Sequence, residues 1–295
     1  MTWSPMSIDE FASYKKADGI GVAKVGGIWW AEVRPCFYRP LVPFQELKPW
    51  SRLYPPKAAL GGFVHLVPSQ IRSSACLNFH VYDDLKNYSL GGLSTNRRKF
   101  IRRGMRRFTD GPVASLEEFV EQGHPIYRSF YERTNYWYKC ERTDKQAFHR
   151  WAKALYDYPK IDKTGVYLDG RLCAVITSFQ IDDIIFGDNL FTDQGSLRLN
   201  VVDYVMHRMR ERAAETDARF FFSGLPTGKE TLDSSKLMRG CKLLRLPAYC
   251  KINPLALAWA KNFMKDSYHK LLTVMAQPHQ EVGATGAPGM GWEER

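Results

Sequence analysis

Apolar and polar positions in this chain fall into short two-residue alternations and longer helical runs, and their order is most regular between Gly165 and Tyr249. Val166-Tyr167-Leu168 turns through Asp169-Gly170-Arg171 into the apolar run 172–179, which predicts a hairpin. A third strand follows over 184–191, interrupted by the polar insert Gly187-Asp188-Asn189. A long helix is predicted over 199–214, and the last strand over 219–222, broken at Gly224-Leu225-Pro226.

The preceding part is richer in strands. Runs at 28–33, 63–67 and 75–81 read as strands, with turns or extended segments at 39–44 and 54–56. A basic helix is expected over 94–108. Ser115-Leu116-Glu117-Glu118 has the form of a capping box and starts another helix. Thr143-Asp144-Lys145-Gln146 signals the next, reaching 156 before Pro159 stops it. A further helix is expected over 255–274. The organisation expected is an N-terminal lobe over 1–112, a C-terminal lobe over 113–275, and a Gly- and Pro-rich disordered tail over 276–295.

Composition adds a charge bias. Hydrophobic residues make up 44% of the 295 positions, enough for a core, and 42 Lys+Arg against 31 Asp+Glu give a net charge of +11. That surplus suits an anionic partner: a nucleotide, tRNA, a nucleotide-sugar or an anionic membrane surface. The six cysteines are scattered without a CxxC pair, so neither a disulfide framework nor a metal site is expected. No apolar run approaches about 20 residues and no leader is apparent, so a cytoplasmic protein with at most peripheral membrane contact is expected.

Several constellations bear on chemistry. In the basic helix, Phe100, Ile101, Met105 and Phe108 share one arc, while Arg98, Lys99, Arg102, Arg103, Arg106 and Arg107 spread over the other. That second arc is either a solvated face or a surface for phosphates or tRNA. Arg97 falls within the apolar arc and needs either an internal carboxylate or a cleft to point into. Gly224, Gly228, Lys229 and Lys236 follow the last strand, where glycines permit close backbone approach and lysines can meet phosphate or carbonyl oxygens. Thr227-Gly228-Lys229-Glu230 lacks the spacing and the hydroxyl of a P-loop, which disfavours an NTPase. Asp188 and Asn189 suit either a strand splayed beside a ligand, with Asp188 orienting an amine, or a bulge with locally satisfied side chains. His207 and Asp203 read as polar surface positions of the long helix. Tyr127, Phe130, Tyr131, Tyr136, Trp137 and Tyr138 read as core or as pocket wall. No nucleophile elbow, zinc motif or dinucleotide fingerprint is present.

The hairpin Tyr167-Leu168-Asp169-Gly170-Arg171-Leu172-Cys173-Ala174-Val175 and the later Lys236-Leu237-Met238-Arg239-Gly240, with Leu93-Ser94-Thr95-Asn96-Arg97-Arg98 upstream, resemble the GNAT-fold acyltransferases of the Fem-type aminoacyltransferase branch. The resemblance implies an α/β (α+β) fold of mixed sheets flanked by helices, with two GNAT-like lobes around a cleft. It implies transfer of an acyl or aminoacyl group to an amine, with Lys236 near the donor carbonyl. Ser235 stands where the branch usually has Phe. Gln194-Gly195-Ser196-Leu197-Arg198-Leu199-Asn200 lacks the glycine spacing of an ordinary CoA site.

The expected function is therefore an acyl- or aminoacyltransferase, with no tightly bound cofactor and acyl-CoA or aminoacyl-tRNA as co-substrate. Lys236 and Asp188 are the expected catalytic residues. Arg97, Arg98, Asn189, Gly224, Gly228 and Lys229 are the expected donor- and acceptor-binding residues. A non-catalytic basic protein binding RNA or anionic membrane lipid is the alternative.

Overall fold

Ser7 starts the first helix, α1 (Ile8–Ala17), through a reciprocal capping box with Glu10, and the helix buries Phe11, Ala12 and Tyr14. The computed structural model describes residues 3–49, 53–136 and 139–276. The expected tail beyond 276 lies outside the described residues, as do Trp137 and Tyr138. Strands β1 (Val22–Val25), β2 (Ile28–Arg34) and β3 (Phe37–Pro40) form an antiparallel meander, and β4 (Gly62–Leu66) joins β3 in parallel. Next comes β5 (Ala75–Tyr82), almost fully buried.

Helix α2 (Thr95–Met105) is capped by Ser94, whose hydroxyl accepts from the Arg97 amide. It is shorter than expected. Phe108 opens β6 (Phe108–Pro112) instead, and Met105 is exposed, so the buried positions of α2 are Ile101 and Gly104, with Arg97 half-buried on the same side. A Cβ at Gly104 would lie 2.8 Å from Cβ of Tyr204, so the missing side chain lets α2 close onto the helix that carries Tyr204.

Helix α3 (Leu116–Thr134) is capped by Ser115, and α4 (Lys145–Tyr156) by Asp144. The hairpin then forms as β7 (Asp162–Leu168) and β8 (Arg171–Ile181), followed by β9 (Ile184–Thr192). The predicted long helix is α6 (Val201–Ala214), starting two residues later than expected, and a short α5 (Gln194–Leu197) precedes it. After β10 (Phe220–Phe222) and α7 (Glu230–Leu237), an eleven-residue strand, β11 (Lys242–Ile252), extends the sheet, so β10 is not the last strand. The expected helix over 255–274 is divided at Met264 into α8 (Pro254–Phe263) and α9 (Lys265–Val274), and β12 (Met275–Ala276) pairs with β5.

All the strands belong to one sheet, in the order β1-β2-β3-β4-β11-β5-β10-β9-β8-β7-β6. The two sequence halves interleave: β5 is flanked by β10 and β11, and β11 in turn by β4. The expected boundary at 112 coincides with the end of β6, which pairs along its length with β7. One core lies on the α1, α3 and α4 face, around Phe119, Phe148, Phe179 and Phe191. A second lies under α6, around Tyr204, Val205, Met209 and Phe221. Burying these side chains on both faces supplies the main driving force for assembly.

Candidate active site

The sheet parts in its middle. β9 and β10 run parallel and pair only from Ile184–Phe220 to Phe186–Phe222. Beyond that point β9 continues beside β8, while the chain after β10 turns to β5, where the Ser223 amide donates to the His80 carbonyl and the His80 amide to the Gly224 carbonyl, at 2.8 and 2.9 Å. Among the described residues no strand pairs with the β10-facing edge of β9 beyond Phe186. Its backbone donors and acceptors face the gap.

A cavity of about 910 Å³ occupies this gap. Its walls include Phe186 and Phe222 from one core cluster and Ile176, Met206 and Phe221 from the other, so it passes through the plane of the sheet. Tyr127, Phe130, Tyr131 and Tyr136 of the aromatic run also line it, and Tyr127 and Tyr131 are core residues at the same time. Burial pushes the Tyr127 phenol up to about 12, so these rings are neutral walls.

Asp188 and Asn189 stand at the parting. Thr177 pairs with Asn189 and Ser178 with Gly187, which leaves Asp188 as the extra residue of a β-bulge. The bulge turns its carboxylate toward α1: Lys15 Nζ donates at 3.0 Å, the Tyr14 hydroxyl at 3.4 Å and the Asn189 amide at 2.8 Å. Of the two alternatives raised by the sequence, the structure shows the bulge with satisfied side chains, and it places that bulge on the cavity wall. Lys15 and Tyr14 are the residues the sequence reading missed, although Ser7-x-x-Glu10 had signalled their helix.

Lys236 approaches from α7. Its Nζ donates to the Ser223 carbonyl at 2.8 Å and lies 3.8 Å from where a Cβ on Gly224 would stand. Gly224 has φ +96°, a conformation that favours glycine. Burial holds the Lys236 ammonium below the ordinary lysine range, with Asp233 opposing that shift. Asp233 also fixes the loop, accepting from the amides of Thr227 and Gly228. His80 sits beneath this group, buried, its Nδ1 3.9 Å from Asp233. Desolvation, then the neighbouring Lys236, hold it down at about 4.

The structure thus brings Asp188, Asn189, Gly224 and Lys236 to one cavity, whereas Arg97, Arg98, Gly228 and Lys229 are not among its lining residues. Lys229 is the N-cap position of α7, and Gly228 is exposed beside it. Arg98 bonds the Gly91 carbonyl and the Thr95 hydroxyl. Arg97 has found an internal carboxylate: its Nη1 meets Asp203 at 2.7 Å, and Arg239, which does line the cavity, meets the other oxygen at 3.2 Å. Asp203 and His207, read as surface positions, are both buried. The His207 ring bonds the Tyr88 hydroxyl at 2.9 Å.

No protein-family model matches the chain, and no curated protein matches its sequence. Solved structures do match in fold. The C-terminal domain (DUF2156) of a putative lysylphosphatidylglycerol synthetase from Agrobacterium fabrum superposes with a TM-score of 0.58 at 11% identity, covering 86% of this chain and 90% of that one. FemX gives 0.57 at 10% identity, covering 86% and 92%. The chain shares the fold of FemX and of this synthetase domain. L-PGS from Bacillus licheniformis agrees, at 0.56 and 8% identity over 92% of this chain and 98% of that one. At these identities the likeness is one of fold, and the chemistry rests on the residues themselves. Among the described residues no helix is long and apolar enough to cross a membrane.

Proposed function

We propose that the protein is an acyl- or aminoacyltransferase that moves an acyl group from an activated donor to an amine in the cavity between β9 and β10. The observation that carries this reading is the parting of two parallel strands beside a large cavity, with a part-buried lysine on one side and a carboxylate on the other. Such a cleft holds two substrates end to end, so most of the rate comes from positioning. Lys236 is assigned to the donor carbonyl: a desolvated ammonium stabilises the oxyanion of the tetrahedral intermediate more strongly than a hydrated one. Asp188 is assigned to the amine, which it orients as a hydrogen-bond acceptor while Lys15 and Tyr14 keep its carboxylate in place. Asn189 and Gly224 line the binding cleft, and Gly228 and Lys229 form the loop beside it.

The donor fits an aminoacyl-tRNA or an acyl-CoA. The exposed face of α2, with Lys99, Arg102, Arg103, Arg106 and Arg107, supports the larger polyanion. Arg98 adds to that surface, and Arg97 anchors the helix that carries it. The same surface favours tRNA over lipid as the partner of α2. The likeness to the C-terminal domain of a putative lysylphosphatidylglycerol synthetase is compatible with an aminoacyl group being transferred in this fold.

The test is single-turnover transfer from a charged-tRNA pool and from acyl-CoA esters to a panel of amines. Lys236→Ala is expected to lower transfer by about 100-fold, and Asp188→Asn to lower it while leaving donor binding intact. Unchanged rates in both variants would remove these assignments.

A further inference from the structure

We propose that the outer face of α8 docks the protein on an anionic bilayer surface. Leu255, Trp259 and Phe263 recur every four residues and form one stripe on this helix. They are 80%, 53% and 73% exposed, values more typical of loop polar residues than of two aromatics and a leucine. The Trp259 and Phe263 rings lie 5.9 Å apart between centroids, so they form one continuous apolar surface. Leu60 extends it, itself 67% exposed, since Asn253 at the start of α8 donates to the carbonyls of Gly61 and Ala59 on either side of it. The other side of α8 faces the central cavity, which Ala256, Leu257, Ala260 and Met264 line, and Trp259 lies at the border, lining the cavity while still 53% exposed. The helix is therefore fixed in the fold with an apolar face left over.

Charge identifies what covers that face. From Lys251 to Lys265 the sequence contains three lysines and no acidic residue, and Lys251, Lys261 and Lys265 are all exposed, as is Lys57 beside Leu60. A Trp/Phe/Leu stripe with lysines at its two ends, Lys251 and Lys57 at one and Lys265 at the other, matches the acyl–headgroup boundary of an anionic leaflet, where rings insert at headgroup level and ammonium groups meet phosphates. A second copy seated on the same face would bring lysines against lysines, which opposes self-association. This surface is distinct from the basic face of α2, and its binding requires no transfer chemistry.

The experiment is co-sedimentation of the full chain with sucrose-loaded vesicles of phosphatidylcholine, with and without one-third phosphatidylglycerol. Light scattering gives the oligomeric state, and circular dichroism checks folding. Binding to the anionic vesicles is expected, falling by about tenfold or more in Trp259→Ala/Phe263→Ala. Each of Lys57→Glu and Lys265→Glu is expected to weaken it by about fivefold, less so in high salt. A chain ending at residue 276 should bind as the full chain does. The proposal is overturned if the full chain ignores anionic vesicles, or if only the shortened chain binds, which would make residues 277–295 the cover. Retained binding in the double variant but loss in Arg102→Glu/Arg106→Glu would also overturn it. So would a dimer that the double variant dissociates.

Discussion

Replacing Asp203 with Asn removes the carboxylate that ties α6 to α2 and to the turn after α7. Asp203 stands on α6 at 5% exposure, its Oδ1 2.7 Å from Arg97 of α2 and its Oδ2 3.2 Å from Arg239, just past α7. Each contact is a charge-assisted bond, and because the two guanidinium groups keep 20% and 17% of their side-chain surface in solvent, the low end of about 1.5 kcal/mol applies to each. Their sum is about 3 kcal/mol, before any repulsion between two arginines left facing one another. For a chain of 295 residues that is a fall in Tm of about 5 °C. Thermal and urea unfolding of Asp203→Asn, Arg97→Met and Arg239→Met measure it, with each single arginine variant expected to lose less than Asp203→Asn because the carboxylate keeps its other partner. A triple variant of Asp203→Leu with both arginine changes should return toward the parent, since no charge is then stranded. A drop below about 2 °C for Asp203→Asn would refute the reasoning. Arg97 would then be available for a ligand rather than committed to the junction.

Acidification supplies a second prediction. His80 titrates at about 4 in the folded chain against an ordinary 6.5, so the unfolded chain binds the proton first. Its contribution is complete above about pH 6.5 and is lost as pH falls toward 4, up to about 3 kcal/mol in all. His80→Gln should flatten that part of the stability–pH curve, and an unchanged slope would count against the burial argument. Gly224→Ala forces a side chain into φ +96° and should cost about 1–2 kcal/mol while displacing Lys236, read as a loss in transfer rate larger than the loss in stability. Arg142→Met strands Asp18, whose remaining cation Lys139 is 3.8 Å away, and should lower stability by about 3–5 kcal/mol by urea titration.

The segment 165–222 was legible because its apolar runs are bounded by turn residues, and the caps at Ser115 and Asp144 announce their helices directly. The same rule applied to Ser7-x-x-Glu10 would have located α1 and, with it, the partners of Asp188. β11 escaped because its sequence carries lysines, an arginine and a proline, and only part of it is buried; its place is set by β4 and β5, far away in sequence. Arg97 posed the right question, an internal carboxylate or a cleft, but only the packing of α2 on α6 through Gly104 identifies Asp203 as the answer. Lys236 and Asp188 were chosen on chemistry and on resemblance, and the turn at Gly224 and the bulge at Asp188 are the local devices that aim them. The charge surplus pointed to anionic partners without locating them, since it depends on which lysines and arginines the fold leaves exposed.

The position of β11 also sets a timetable for synthesis. Its partners β4 and β5 end at Leu66 and Tyr82, yet the strand that joins them is translated only at Lys242–Ile252. While the ribosome is still producing the intervening helices, both strands wait with open edges, and such edges invite pairing with other nascent chains. The sheet therefore closes only after Ile252 has been made, by contacts of long sequence separation that form slowly. Nascent chains arrested before Lys242 should engage chaperones, and extension past Ile252 should release them.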